Sequence, residues 1–109
     1  MRVYYTNEFQ DDLRNARNYI IKKFKNDIAA DRLANDTIAA TERQANLLEI
    51  ATSRPYFDRG DITFYNINIR GYVVVYYLDN NYLIAAALFH SRQDIRHHLI
   101  DYVKPSTLR

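Results

Sequence analysis

A chain of 109 residues with 48% hydrophobic content can build one compact core but is too short for two ordinary domains, so a single domain over 1–109 is expected. No stretch approaches the roughly 20 uncharged apolar residues of a membrane span, and the opening "MRVYYTNEFQDDL" lacks the apolar run of a secretory signal. Cysteine is absent, which excludes disulfides and thiolate chemistry and fits a soluble protein of the cytoplasm held together by packing alone.

Residues 2–5, "RVYY", form a short β-branched and aromatic run, and "TN" follows as a helix start with Asn7 and Gln10 at capping-box spacing. Phe9, Leu13, Ala16, Ile20 and Phe24 then recur at the period of one helical face, which predicts a helix over about 8–25. After "KND" a second helix begins near Asp27, with Ala34, Ile38, Thr41, Ala45 and Leu48 on one stripe. It should end by "TSRP", because the residue before Pro55 is pushed out of the helical region. So short a turn makes the pair an antiparallel hairpin.

Beyond Pro55 the apolar period changes to two. "ITFYNINI" (62–69) places Thr63, Tyr65, Ile67 and Ile69 on one face and Ile62, Phe64, Asn66 and Asn68 on the other. "RG" reads as a tight turn, "YVVVYYL" as a strand apolar on both faces, "DNN" as a second turn, and "YLIAAALFH" as a third strand. A short helix follows near 93–102. The expected class is α+β, with a helical hairpin packed on a small, mostly antiparallel sheet in the order β-α-α-β-β-β plus the short C-terminal helix. A strand apolar on both faces needs a cover opposite the hairpin. Either the C-terminal helix supplies it through Ile95, Leu99 and Tyr102, or a protein partner does.

The net charge of +2 hides an uneven distribution. From 54 to 96 every basic residue is an arginine: Arg54, Arg59, Arg70, Arg92 and Arg96. Arginine presents a planar fork that pairs bidentately with carboxylate or phosphate, so these five are candidates for binding a target surface or phosphate. The alternative is that they pair with acids such as Asp58, Asp61 or Asp94 of the same chain. His90 at the strand end has two readings. It is a general base toward a ribose hydroxyl, with Arg70 or Arg92 balancing phosphate charge, or it is a structural residue that hydrogen-bonds the last turn of the sheet. His97 and His98 are adjacent and point about 100° apart on a helix, which disfavours a shared metal.

The helix pair, the proline after it, and "RGYVVVYYLDNNYLIAAALFHSRQDIRHHL" resemble the RelE/ParE superfamily of bacterial type II toxins. The resemblance implies a cytoplasmic toxin without metal or cofactor, associated with plasmid stabilisation and neutralised by a cognate antitoxin, with a heterotetramer as the expected assembly. It also implies one of two activities. RelE-like members cleave messenger RNA on the ribosome, whereas ParE-like members inhibit DNA gyrase. In the RelE pattern arginine follows the aromatic that opens the middle strand, and a tyrosine closes the C-terminal segment. Here Val73 follows Tyr72, "RHHL" lacks the tyrosine, and the preceding loop carries only Arg54 and Arg59. "LFHSRQDIRHHL" is similar to the ParE ending, so gyrase is the expected target. The alternatives are an RNA endonuclease, with His90, Arg70, Arg92 and Tyr102 as its candidate groups, or a degenerate member that only binds antitoxin.

Overall fold

The computed structural model describes residues 1–50 and 52–105. β1 (Arg2–Tyr5) leads directly into α1 (Asn7–Phe24). The residue that caps α1 is Thr6, one position before the expected Asn7: its side chain accepts from the Phe9 N–H, while the Gln10 amide donates to the Tyr5 carbonyl. The Thr6 hydroxyl also donates to the carbonyls of Ala85 and Ala86, which ties the helix start to the sheet. The extended backbone of Thr6 thus ends one element and begins the next. Lys25 in the left-handed region stops α1, and the Asn26 side chain caps α2 (Asp27–Leu47) by accepting from the Ala29 N–H.

The buried stripe of α2 is centred on Ala30, Leu33, Thr37, Ala40, Thr41 and Ala45, rotated from the expected one so that Ala34, Ile38 and Leu48 flank it. Two threonines are tolerated there because their hydroxyls donate to the carbonyls one turn back, Thr37 to Leu33 and Thr41 to Thr37. On α1, Phe9 and Ala16 are buried and Leu13 and Ile20 partly so, but Phe24, which shares their period, is 61% exposed because α1 has outrun the sheet by then.

Five strands make one sheet in the order β1-β5-β4-β3-β2, with β2 (Phe57–Asp58), β3 (Thr63–Ile69), β4 (Tyr72–Asp79) and β5 (Tyr82–His90). Only the β1–β5 pairing is parallel. Tyr72, Val74 and Tyr76 face the helical hairpin, where Phe9, Leu33 and Leu83 also pack. Val73, Val75 and Tyr77 face the other way, against Ile95, Leu99 and Tyr102. The second face is therefore covered by the chain itself, through α3 (Ile95–Ile100) and the residues after it. An unseen partner is not needed to account for the two-sided strand.

β5 carries an irregularity that an unbroken apolar run conceals. Val75 pairs with Ala87 and Tyr76 with Ala85, so Ala86 is a bulged extra residue. Before it, Leu83 and Ala85 face the hairpin; after it, Leu88 does. The bulge flips the alternation and so turns His90, opposite Tyr72, toward α1.

Both tight hairpins use two consecutive residues with positive φ: Arg70 (50°) and Gly71 (80°), then Asn80 (48°) and Asn81 (68°). These are the mirror-image turns that match strand twist, and asparagine tolerates them better than other side chains. Asn81→Val should lower unfolding free energy by about 1–2 kcal/mol in urea denaturation, whereas Asn81→Gly should leave it unchanged or raise it.

Candidate functional site

The end of the sheet where β4 begins and β5 finishes brings together residues from four elements. His90 and Tyr72 stack edge to face at 5.3 Å, and both line a cavity of about 370 Å³ whose opposite wall is α1. That wall contributes Glu8, Asp12 and Asn15, and His98 of α3 closes one side, its ring stacked on Phe89 at 5.5 Å. Beyond Ala85 no strand of the described residues covers β5, and side chains cap its outward amides. The Leu88 N–H donates to Asp12 Oδ2 at 3.0 Å and the His90 N–H to Gln93 Oε1 at 2.7 Å. This protects an open strand edge from pairing with another chain.

The His90 ring is occupied as well. Its Nδ1 accepts from the Arg92 N–H at 3.2 Å, which makes Nε2 the protonated nitrogen of the neutral ring. The lone pair that a general base would use is spent on the turn. Ser91 donates to the Gly71 carbonyl, Gln93 to the His90 carbonyl, and Asp94 caps α3 by accepting from the His97 N–H. The charged run after the apolar strand is in large part a strand-to-helix connection.

Of the five candidate arginines, the structure brings Arg70 and Arg92 to this end of the sheet, in the turns that flank Tyr72 and His90. Arg70 pairs with Asp36 of α2, its Nε donating at 2.7 Å. Arg92 is exposed and engages the site only through its backbone amide. Arg96 lies over the Tyr56 ring at 5.2 Å, on the face covered by α3, and Arg54 is exposed before Pro55.

Arg59 is not available to a phosphate. Its Nε and Nη2 clamp Asp61 bidentately, both at 2.7 Å, and Nη1 donates to the carbonyls of Leu99, Ile100 and Tyr102. It closes the C-terminal end of α3, where unpaired helix carbonyls need donors. The clamp holds the Asp61 carboxyl down at about 2. Tyr102 is likewise removed from solvent. It is 8% exposed, packed edge to face on Phe64 and Tyr77, and burial pushes its hydroxyl far above the usual phenol value. A tyrosine in that position cannot reach a phosphodiester.

What periodicity and arginine counting missed is the acidity of the cavity. Glu8 and Asp12 lie one helical turn apart, and burial raises both carboxyls above their ordinary values; the Asp12 charge adds to the effect on Glu8, and the Asp11 charge to that on Asp12. The nearby His98 and, for Asp12, the Leu88 N–H work in the opposite direction. A raised folded-state value means the folded protein holds protons that the unfolded chain has released. Stability supplied by these groups is therefore lost as pH rises through the window just above the ordinary carboxylate range. Replacing both with amides, Glu8→Gln with Asp12→Asn, should flatten that segment of a denaturation-against-pH curve, while the Leu88 N–H keeps an acceptor.

A second concavity, of about 630 Å³, lies where the far end of α2 meets β3. Its floor is apolar, with Ile67 and Ile69 on one side and Leu47 and Ile50 on the other, and Arg43 and Gln44 stand at the rim. Ile50 is 85% exposed. β3 is paired on one side by β4 along Tyr65–Ile69, but β2 covers it only as far as Phe64, where the Tyr56 N–H reaches the Phe64 carbonyl. Alternation in an antiparallel ladder then leaves the N–H and C=O of Asn66 and Asn68 pointing outward, without a neighbouring strand among the described residues. Among the described residues this edge is uncapped, in contrast to that of β5.

A helical hairpin on a mostly antiparallel five-stranded sheet, in the order β-α-α-β-β-β with a short terminal helix, is the α+β architecture of RelE/ParE-type toxins. Within that class the chain belongs to the family described as ParE toxin of type II toxin–antitoxin system, parDE, which it matches over residues 3–95. None of the curated proteins matches it. Membership of a type II family implies an antitoxin as partner. No helix among the described residues is long and apolar enough to cross a membrane.

Proposed function

We propose that this toxin acts in the bacterial cytoplasm by binding, as an inhibitor of DNA gyrase, and that it does not cleave nucleic acid. The observation that carries this reading is how the groups needed for RNA cleavage are used. His90 has its lone pair in a backbone hydrogen bond, Arg70 is paired with Asp36, and Tyr102 is buried. Cleavage would require several donors and acceptors converging on one phosphodiester, and the cavity beside His90 instead presents Glu8 and Asp12, whose charge would repel a phosphate. The test compares wild-type protein with His90→Ala in a gyrase supercoiling reaction. Both should inhibit at similar concentrations; loss of inhibition in His90→Ala would return the histidine to the active machinery.

The antitoxin has a natural seat in the groove between α2 and β3. An extended segment added beside Asn66 and Asn68 would satisfy their outward backbone groups, and its alternate side chains would enter the apolar floor formed by Leu47, Ile50, Ile67 and Ile69. Arg43 at the rim favours an acidic residue in that segment.

A further inference from the structure

We infer that the tip of the helical hairpin, Tyr19 to Ile28, is the surface that grips the toxin's target, and that it fits a protein cleft with an apolar floor and a carboxylate rim. The inference deepens the binding reading proposed above and rests on it.

Every residue from Lys22 to Ile28 is exposed, because the helices here have passed beyond the sheet that covers them elsewhere. Beside the small polar Asn26 and Asp27 of the turn, large apolar side chains are exposed. Phe24 is 61% exposed and Ile28 72%, and the exposed ring of Tyr19 meets Phe24 edge to face at 6.4 Å. Phe24 falls on the apolar period of α1, so the stripe that builds the core continues past the sheet into solvent. Three of the four lysines in the chain, Lys22, Lys23 and Lys25, surround this patch. The Lys23 ammonium lies 5.5 Å from the centre of the Tyr19 ring and 5.8 Å from that of Phe24, and none of the three forms an ion pair among the described residues. Asp27 is the one acid between Tyr19 and Ile28 against three lysines, so the exposed aromatic and branched side chains carry a net positive rim, the composition of an interface centre with a steering edge. Phosphate backbone would use the lysines but leave Ile28 and Phe24 without a partner, so a protein with complementary acids fits better.

The tip also stands well away from the proposed antitoxin seat. It holds the start of α2, whereas the groove begins at Ala40, and the helix rises roughly 18 Å from Ile28 to that residue. Target binding and antitoxin binding should separate by mutation.

Two variants test this: Phe24→Ser with Ile28→Ser, and Lys22→Glu with Lys23→Glu and Lys25→Glu. All these positions are exposed, and unchanged thermal melting and unchanged binding of the adjacent gene's product would show the fold intact. Growth arrest on expression should be lost in both, and the concentration for half-inhibition of purified gyrase should rise by about 30-fold or more. If both variants arrest growth as the wild type does, the tip is not the gripping surface. Wild-type binding to a DNA duplex or anionic vesicles that the lysine variant loses, with gyrase inhibition unaffected, would also overturn the assignment to a protein cleft. A wild-type chain that arrests nothing would refute the toxin reading itself, a result distinct from failure of the tip alone.

Discussion

Replacing Phe64 with alanine should lower the free energy of unfolding by about 3–5 kcal/mol, the range for deleting a fully buried phenyl ring. Phe64 has no exposed surface and sits at the centre of the face covered by α3. Tyr77 and Tyr102 meet its ring edge to face at 6.1 and 5.6 Å, Phe57 stacks at 6.4 Å, and the Arg59 guanidinium lies over it at 6.0 Å. Few neighbours can close the cavity, since Arg59 is fixed by its carbonyl and Asp61 bonds and Tyr102 by the turn that follows α3. A domain of this size is stable by about 5–15 kcal/mol in total, so the variant should unfold at a far lower urea concentration with its slope unchanged. Amide exchange should accelerate first in α3, which rests on this ring through Tyr102. A cost below about 1 kcal/mol would mean that the face collapses around the gap and that α3 is not held as described.

Proline at Asn66 and Asn68 together should weaken antitoxin binding by about a hundredfold while leaving the toxin folded. The N–H of each residue points away from β4, so proline removes no bond of the ladder that holds β3. It removes two donors that an added strand would use and places ring carbons in its path. Each lost backbone bond is worth about 1–1.5 kcal/mol, or roughly tenfold in affinity. Leu47→Glu with Ile50→Glu on the groove floor provides an independent check, because both side chains are already largely exposed and can be changed without disturbing the core. Titration of each variant with the adjacent gene's product measures the effect. Unaltered affinity in both would move the antitoxin off this groove.

Several features were legible because the chain writes them periodically. The stripe Phe9, Leu13, Ala16 and Ile20 marks α1, and alternation groups Tyr65 with Ile67 on β3 and Val74 with Tyr76 on β4, while only the fold shows that these faces meet the hairpin. Other features have no periodic signature. The bulge at Ala86 lies within three alanines flanked by apolar residues, where flipping the alternation changes nothing in the pattern, yet it decides that His90 faces α1. β2 is two residues long, too short to show a period. Phe24 continues the stripe of α1 but ends in solvent, because periodicity records a helical face and not how far the sheet beneath it extends. The role of Arg59 depends on carbonyls some 40 residues away, and the acidity of the cavity depends on α1 crossing the end of β5. Counting arginines favours an anionic ligand at this site, and only the fold reveals the carboxylates already there.

If this member of the ParE toxin family disables gyrase by binding, as proposed, the toxin itself cleaves neither DNA nor RNA. The most direct measurement adds purified protein to two reactions, supercoiling of relaxed DNA by gyrase and a translation extract programmed with a defined message. Supercoiling should be inhibited or gyrase-cleaved DNA trapped, with the message whole in the ribosomal A site. Codon-phased cleavage of the message that disappears in His90→Ala, with supercoiling unaffected, would contradict the proposal.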